Sequence, residues 1–386
     1  MVRKRKSGAV LAVADEPKTA MSINPYIFHC CKRCARKRRN TRYLPREIIF
    51  QFLLHLPAQL LHDVVRHVCR EWSLVICSPN FIQHHLRNST GGVIIQEWLS
   101  PRNGIYVEMR RGCLEICKFD CGVHGLVRSS CNGLVVISDE SEVIEVPNLY
   151  VTNPLTKQWA ILPPFSALTG HHSDGGLAFV ESSMEYKLVR VCRDKYIVPK
   201  TQIAVLTIGV DEVWRHIDTD HLLLPTELKF IWFLLVTGGY VHWTSSKFVL
   251  TLNVETEIVR RFPVPQLPKM FGSFLPMGGN LSFIDESSKF LRDVWEMNSV
   301  TGEWSMLFSF DSEPLSDRFK GMFSDFTKSI NPCFWLVARE LLVFSLGYGQ
   351  RHWIVYNVKT REIQSFELEG KCYHFEAHVN SLVWLE

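Results

Sequence analysis

The sequence predicts a multidomain protein: a small all-α domain of three helices, followed by an all-β propeller of about six blades. Two observations carry this prediction. Apolar residues in 44–90 recur with a helical period, and residues 91–386 repeat a hairpin motif at intervals typical of propeller blades. A chain of 386 residues is longer than one ordinary domain, and 46% hydrophobic with 21% charged residues is a globular composition. The expected domains are 1–43, 44–90 and 91–386.

The segment Leu44–Leu86 predicts three short helices. Pro57 ends the first helix, because a proline disfavours helical geometry in the residue before it. A second helix is predicted through Leu60–Val68, and a third through Cys69–Ile76, which ends before Pro79. Helices this short cannot bury all of these apolar side chains among themselves, so we expect part of their surface to be an interface.

A turn motif of the form Asn-x-x-Thr recurs in the C-terminal part of the chain. Its copies begin at Asn153, Asn253, Asn298 and Asn357, and a degenerate copy contains Asp211. Asparagine begins such turns because its side chain bonds the backbone two residues on. Repeats of about 40–50 residues with four short strands predict propeller blades, and 91–386 accommodates about six of them. Residues 94–119, with Val379–Leu385 as the closing strand, are expected to form the blade that completes the ring.

The helical segment resembles the F-box. The residues that carry the resemblance are Leu44, Pro45, Glu47, Ile48, Phe52, Leu53, Leu56, Pro57, Val68, Cys69, Trp72, Pro79, Phe81 and Leu86. One departure is that 58–67 is one residue longer than the commonest form. The resemblance implies docking onto a Skp-type adaptor and, through it, onto a cullin–RING ubiquitin ligase. Carried over position by position, the adaptor contacts are Leu44, Pro45, Ile48, Ile49, Phe52, Leu53, Leu56, Pro57 and Trp72. The alternative is that these residues are only the core of a small bundle.

Residues 91–386 resemble the F-box-associated, kelch-like propeller region found in many plant F-box proteins. The motifs that carry this resemblance are Ser130-Cys-Asn-Gly-Leu, Asn153-Pro-Leu-Thr…Trp159…Leu162-Pro163, Gly239-Tyr-Val-His-Trp and Val294-Trp-Glu-Met…Gly-Glu-Trp304. The resemblance implies a non-catalytic receptor that recruits an unknown protein target for ubiquitination. We expect the target contacts in the loops Thr169–Gly175, Arg193–Lys200 and Asp311–Ser329.

The positive charge is concentrated in residues 1–43, which hold twelve Lys and Arg against two acids, whereas the rest of the chain holds 31 against 37. The folded body is therefore not built as a nucleic-acid surface. The tail is expected to be disordered, and its basic cluster is typical of a nuclear import signal or, equally, of a solvated leader. That cluster is Lys32, Arg33, Arg36, Lys37, Arg38 and Arg39. We expect a location in the nucleus, the cytoplasm or both, and no membrane partner, because no run of eighteen apolar residues exists.

No residue pattern predicts catalysis, a metal site or a cofactor. Cys113, Cys117, Cys121 and His124 are residue types that bind zinc. However, 113–119 reads as a strand, in which four residues span roughly 13 Å, too far for ligands about 2.3 Å from one zinc. The tail group His29, Cys30, Cys31 and Cys34 has no second pair at zinc-finger spacing. Three other functions stay open. The first is a propeller that binds a small molecule or glycan, with the helices used only for assembly. The second is a propeller hydrolase, and the third is nucleic-acid binding through the basic tail, which is less expected.

Overall fold

The computed structural model describes most of the chain from residue 44 onward. The described residues are 44–97, 100–110, 113–139, 148–165, 175–193, 201–219, 222, 234–267, 272–288, 290–319, 330–337, 340–346, 352–368 and 373–383. The helices and sheets belong together to one compact unit, Arg46–Glu386. Within the described ranges, no helix is long and apolar enough to cross a membrane.

Four α-helices and one 3-10 turn form the helical domain, so the predicted count of three is wrong. They are α1 (Arg46–Leu54), α2 (Ala58–Asp63), the 3-10 turn Val65–His67, α3 (Arg70–Ile76) and α4 (Pro79–Asn88). The predicted second helix breaks at Val64, whose φ is −124°. α3 ends at Ile76, as predicted, and Pro79 begins a further helix, α4, that was not predicted. Ser78 Oγ accepts the N–H of Phe81, and Pro79 occupies the first turn, where its missing N–H has no helical partner to lose.

One apolar core joins the helices. Its buried residues from the helical domain are Ile49, Leu53, Ala58, Leu61, Val65, Val75, Ile76 and Phe81. His85 ties α4 to the end of α1: its Nε2 lies 2.8 Å from the carbonyl oxygen of Leu56, which can only accept, so Nε2 carries the proton. Two propeller residues, Leu155 and Leu382, belong to the same core. The helices therefore complete their core only by packing on the propeller.

Six four-stranded antiparallel sheets form the propeller, which confirms the predicted six blades. Strands are numbered along the chain. Blade 1 contains β1 (Gly92–Glu97), β2 (Ser100–Arg110), β3 (Cys113–Lys118) and the closing strand β24 (Tyr373–His378). Blade 2 contains β4 (Leu126–Cys131), β5 (Leu134–Ser138), β6 (Leu149–Asn153) and β7 (Gln158–Ile161). Blade 3 contains β8 (Gly175–Val180), β9 (Glu185–Arg193), β10 (Thr201–Thr207) and β11 (Arg215–Ile217).

The second half of the ring repeats this pattern. Blade 4 contains β12 (Leu234–Thr237), β13 (Tyr240–Thr244), β14 (Phe248–Asn253) and β15 (Ile258–Pro263). Blade 5 contains β16 (Gly272–Met277), β17 (Asn280–Asp285), β18 (Leu291–Met297) and β19 (Trp304–Asp311). Blade 6 contains β20 (Ile330–Val337), β21 (Leu341–Leu346), β22 (His352–Asn357) and β23 (Ile363–Glu367). The short helix α5 (Glu313–Phe319) lies between blades 5 and 6.

The two ends of the propeller sequence share blade 1, as predicted, but the closing strand is not the predicted one. β24 pairs with β1 from Gly92 opposite His378 to Glu97 opposite Tyr373. The expected strand, 379–385, is wrong because the described residues after His378 lie in no strand and make other bonds. The side-chain amide of Asn153 donates to the carbonyl oxygens of Ser381 and Val383.

The Asn-x-x-Thr motif forms the predicted turn, which joins the third strand of a blade to the fourth. Asn253 Oδ1 accepts the N–H groups of Glu255 and Thr256, at 2.9 and 3.0 Å. Asn298 and Asn357 make the same pair of bonds with the residues two and three positions on. In the degenerate copy, Asp211 instead accepts the N–H of Thr207.

Because neighbouring strands of a blade are antiparallel, the connections between strands lie alternately at the two ends of the ring. The turns from first to second strand and from third to fourth strand lie at one end, which we call the turn mouth. All other connections lie at the opposite end, which we call the loop mouth. The helical domain packs at the turn mouth. Leu155, in the third-to-fourth turn of blade 2, contributes to the helical core, and Glu181, between β8 and β9, pairs with Arg87 of α4.

Candidate functional site

Helix α1 has apolar residues on two sides, and only one side is buried. Ile49 and Leu53 are 5% and 0% exposed, whereas Ile48 and Phe52 are 53% and 52% exposed. Residues four apart lie on one helix face, so Ile48 and Phe52 form a continuous apolar pair open to solvent. The Phe52 ring also lies 6.2 Å from that of Trp72 on α3, which is half-buried. We call Ile48, Phe52 and Trp72 the docking face.

Exposed apolar residues are frequent throughout the helical domain. Besides the docking face, the exposed ones are Leu44, Leu60, Val64, Val68 and Leu74. Single exposed apolar residues are ordinary, but this many in a small domain indicate a surface that a partner covers.

The structure separates the nine predicted adaptor contacts into two groups. Seven of them are exposed or half-buried, and for these adaptor contact stays a prediction. They are Leu44, Pro45, Ile48, Phe52, Leu56, Pro57 and Trp72. Ile49 and Leu53 are buried, and adaptor contact stays a prediction for them as well. They lie in the core between α1 and the other helices, and a partner could reach them only by opening the domain.

The cysteines near blade 1 are dispersed. Cys113 and Cys117 are exposed on β3, which is the strand the sequence predicted, whereas Cys121 is buried. Burial raises the pKa of the Cys121 thiol, which disfavours the thiolate that zinc requires. Among the described residues, no three His, Cys, Asp or Glu side chains come together as a metal site. The tail group at 29–34 and the basic cluster at 32–39 lie outside the described residues.

A serine, a histidine and an acid meet where blade 2 contacts the closing strand. Ser130 Oγ is hydrogen-bonded to His378 Nδ1 at 2.8 Å, and the Ser130 N–H donates to Glu376 Oε1 at 3.0 Å. The other imidazole nitrogen, Nε2, is buried and has no hydrogen-bond partner among the described residues. Glu376 thus bonds the serine backbone, which is not the serine–histidine–acid order of a hydrolase. Sequence reasoning missed this set because it joins positions 248 residues apart.

Three buried histidines predict an acid-sensitive propeller. Burial lowers the pKa of His242 to about 3 and those of His374 and His378 to about 4. In the unfolded chain these histidines bind a proton with a pKa near 6.5, whereas in the folded chain they stay neutral until the pH is much lower. Their contribution to the free energy of unfolding is therefore fully present above the unfolded pKa and is lost as the pH falls toward 4. The loss is about 1 kcal/mol per histidine between pH 6.5 and 5.5, or about 3 kcal/mol in all, measured by urea unfolding.

His242 offers a check on the cause of this loss. Its ring nitrogens are hydrogen-bonded to Thr237 Oγ1 at 2.7 Å and Thr251 Oγ1 at 2.9 Å. His242→Gln has both a donor and an acceptor but no proton to gain, so it should remove about a third of the pH dependence. If the free energy of unfolding of His242→Gln depends on pH as steeply as that of wild type, His242 does not cause the loss of stability.

A groove of about 900 Å³ lies between α4 and the turn mouth of blades 2 and 3. Its lining is mainly apolar, with Ile82 and Leu86 from α4 opposite Phe179 and Val210. The lining also contains polar and charged side chains, which are Gln83, Arg87, Asn132, Glu181, Glu185 and Tyr186. This volume and composition are those of small-molecule sites. The groove has no sequence signal, because it forms only where two domains meet.

The loops expected to recognise a target all leave the loop mouth, opposite the helical domain. They connect β7 to β8, β9 to β10 and β19 to β20. Most of their residues, 166–174, 194–200 and 320–329, lie outside the described residues. The described part of the third loop is α5, whose Leu315 and Phe319 pack into the core shared by blades 5 and 6.

Comparison with known proteins agrees with this architecture. Residues 116–380 match the F-box associated beta propeller domain family. The chain is 26% identical over 333 residues to F-box protein At5g07610 of Arabidopsis thaliana, covering 75% of this chain and 78% of that protein. It is 23% identical over 224 residues to F-box protein At4g09190 of the same plant, covering 54% of each. It is 25% identical over 234 residues to F-box only protein 15, also from that plant, covering 57% and 58%.

The matches thus span little more than half the length of two of these relatives. A chain from the crystal structure of the nidogen/laminin complex is 10% identical at a TM-score of 0.44, covering 75% of this chain and 99% of that one, a likeness too low to carry an argument. The kelch-like character expected of the blades is not part of the family's description and stays a prediction. With the family match over most of the propeller and F-box proteins among its relatives, the chain is a plant F-box protein with a C-terminal β-propeller and belongs to the F-box associated beta propeller domain family.

Proposed function

We propose that this chain is the substrate-recognition subunit of an SCF-type cullin–RING E3 ubiquitin ligase. The observation that carries the proposal is the docking face, where Ile48 and Phe52 are each about half exposed on α1 beside Trp72. Their neighbours on the same helix, Ile49 and Leu53, are already buried in the helical core. The exposed pair is therefore free for a Skp-type adaptor, and burying its apolar surface in an interface would favour binding.

The two mouths of the ring then have different roles. The turn mouth carries the helices, and through them the adaptor, whereas the loop mouth is open to a protein target. The chain itself performs no chemistry. It holds a target near a ubiquitin-charged enzyme of the complex, which raises the effective concentration of the target's lysine.

Assembly with the adaptor tests this function directly. The full chain is mixed with a Skp-type adaptor and passed over a size-exclusion column, then combined with a cullin–RING partner. We expect an equimolar complex with the adaptor and its incorporation into the ligase. If micromolar full-length chain binds none of a panel of Skp-type adaptors, the proposal is wrong.

The groove beside α4 favours a second function, the binding of a small molecule by the propeller with the helices used only for assembly. The lining joins apolar residues such as Ile82 and Phe179 to polar ones such as Gln83 and Glu181, a mixture that suits a small molecule with both apolar and hydrogen-bonding groups. A thermal-shift screen with such molecules would reveal a ligand, and Val210→Trp, which fills the groove, should abolish its effect. A ligand whose effect survives this substitution binds elsewhere.

The basic cluster Lys32, Arg33, Arg36, Lys37, Arg38 and Arg39 supports a nuclear location for at least part of the protein. Residues 1–43 fused to a fluorescent reporter should accumulate in nuclei, and replacing the six basic residues by alanine should abolish this. A reporter that stays evenly distributed would leave only the cytoplasmic alternative.

A further inference from the structure

The copy of the repeated turn in blade 2 differs from those in blades 4, 5 and 6 in the burial of one residue. In blades 4, 5 and 6, the residue two positions after the asparagine is Glu255, Val300 or Lys359, and each is exposed. In blade 2 this residue is Leu155, which is 6% exposed and packs into the core of the helical domain. The turn itself is similar, since Asn153 Oδ1 accepts the N–H of Leu155 at 2.9 Å, as the asparagines of the other copies accept the N–H two residues on.

Asn153 also makes two bonds that the turn does not need. Its Nδ2 donates to the carbonyl oxygens of Ser381, at 3.1 Å, and Val383, at 2.6 Å. The side chain is 0% exposed, so an amide without these acceptors would be buried and unpaired. Both ends of the Asn153 side chain are thus satisfied only when the C-terminal residues lie beside this turn.

Residues 380–383, here the C-terminal strap, contact both the propeller and the helical domain. Ser381 Oγ donates to the carbonyl oxygen of Asn132 at 2.7 Å, while Leu382 is 2% exposed in the helical core. The strap passes so close to Gly133 that a Cβ there would lie 1.9 Å from Ser381 Oγ. Gly133 also has a φ of +88°, so both its conformation and the space exclude a side chain.

We infer that Asn153, Leu155 and the C-terminal strap form a seat that holds the helical domain at the turn mouth. Asn153 and Leu155 are positioning residues, because they fix the docking face relative to the loop mouth without touching adaptor or target. The consequence for ubiquitination rests on the proposed function, whereas the seat itself does not.

Asn153→Asp in the full-length chain tests the seat with little change of shape. Aspartate keeps the oxygen that accepts the Leu155 N–H but replaces the amide donor by an oxygen facing two carbonyl oxygens. Asn298→Asp is the matched control, because Asn298 makes the same turn in blade 5 and is exposed. Hydrogen–deuterium exchange should be about tenfold faster or more in α4 and the strap of Asn153→Asp, with blades 4 to 6 unchanged. The control should match wild type everywhere.

Leu155→Glu is a second variant, which introduces the residue that blade 4 has at this position, with Val300→Glu as its control. We expect the same local pattern of exchange. Exchange in α4 and the strap that equals wild type in both seat variants would overturn the inference, as would an equal increase in all six blades.

Adaptor binding separates the seat from the proposed function. Asn153→Asp should bind a Skp-type adaptor within about twofold of wild type, because Asn153 lies outside the helical core and the docking face is untouched. Small-angle scattering of the adaptor complex should show a broader distribution of distances for Asn153→Asp than for Asn298→Asp. A variant complex with wild-type scattering contradicts the positioning role. Failure of wild type to bind the adaptor contradicts the proposed function and leaves the exchange result to decide the seat.

Discussion

Ile48→Asp combined with Phe52→Asp is expected to abolish binding to a Skp-type adaptor while the chain stays folded. Both side chains are about half exposed in the free protein, so charge at these positions is tolerated in water. In a complex the same carboxylates would be buried without partners in an apolar interface. Apolar anchors of this kind contribute about 2 kcal/mol or more each, so the double variant should lose at least about a hundredfold in affinity.

The matched control replaces two exposed valines of the propeller. Val213→Asp with Val300→Asp adds the same charge at sites that are 71% and 58% exposed and lie outside every strand. This control should bind the adaptor like wild type in isothermal titration calorimetry. Equal affinity of the two double variants would show that α1 does not dock the adaptor.

Leu53→Asp cannot serve this purpose, although the residue belongs to the F-box pattern. Its side chain is 0% exposed in the core that joins the four helices. A carboxylate there would unfold the helical domain, and loss of binding would report the unfolding. Circular dichroism should distinguish the cases: helical signal is retained in Ile48→Asp/Phe52→Asp and reduced in Leu53→Asp.

Trp353→Ala is expected to lower the free energy of unfolding by about 3–5 kcal/mol, the usual cost of removing a large buried side chain. Trp353 is 0% exposed on β22 of blade 6. Its ring lies 6.2 Å from Phe366 of the same blade and 5.7 Å from Phe375 of the closing strand β24. The substitution therefore leaves a cavity at the junction where the ring closes.

Trp159→Ala provides the comparison, because Trp159 is 55% exposed on the outer strand of blade 2. It should cost less than about 1 kcal/mol in urea unfolding. Trp353→Phe should be milder than Trp353→Ala, since the ring fills part of the cavity and removes an indole N–H that has no partner among the described residues. Equal losses for Trp353→Ala and Trp159→Ala would contradict a role in ring closure.

The propeller could be predicted because its signal is local and repeated. An asparagine that bonds the backbone two and three residues on is a property of the turn itself, and Asn253, Asn298 and Asn357 all make these bonds. The spacing of such turns then indicates the blade count. The helical domain could be predicted because its leucine–proline pairs and apolar stripe are also local patterns.

The closing strand could not be predicted in the same way. Residues 373–378 and 379–383 are both plausible strands, and pairing with β1 decides between them. α4 was missed because Ser78 and Pro79 are equally consistent with the end of one helix and the start of another. The bond from Phe81 N–H to Ser78 Oγ, formed only in the folded chain, identifies the start.

The sequence by itself determined the two kinds of domain, an approximate number of blades, the repeated turns and the helix that carries the candidate docking residues. The structure then showed that the blades number six. Only the tertiary structure decided that Ile48 and Phe52 face solvent while Ile49 and Leu53 are buried. It also decided that the helices rest on Leu155 of blade 2 and Leu382 of the C-terminal strap. The reason is that α1 is apolar on both sides, so its period alone does not show which side the core covers. That choice depends on contacts with elements distant in the chain, whose positions no local pattern records.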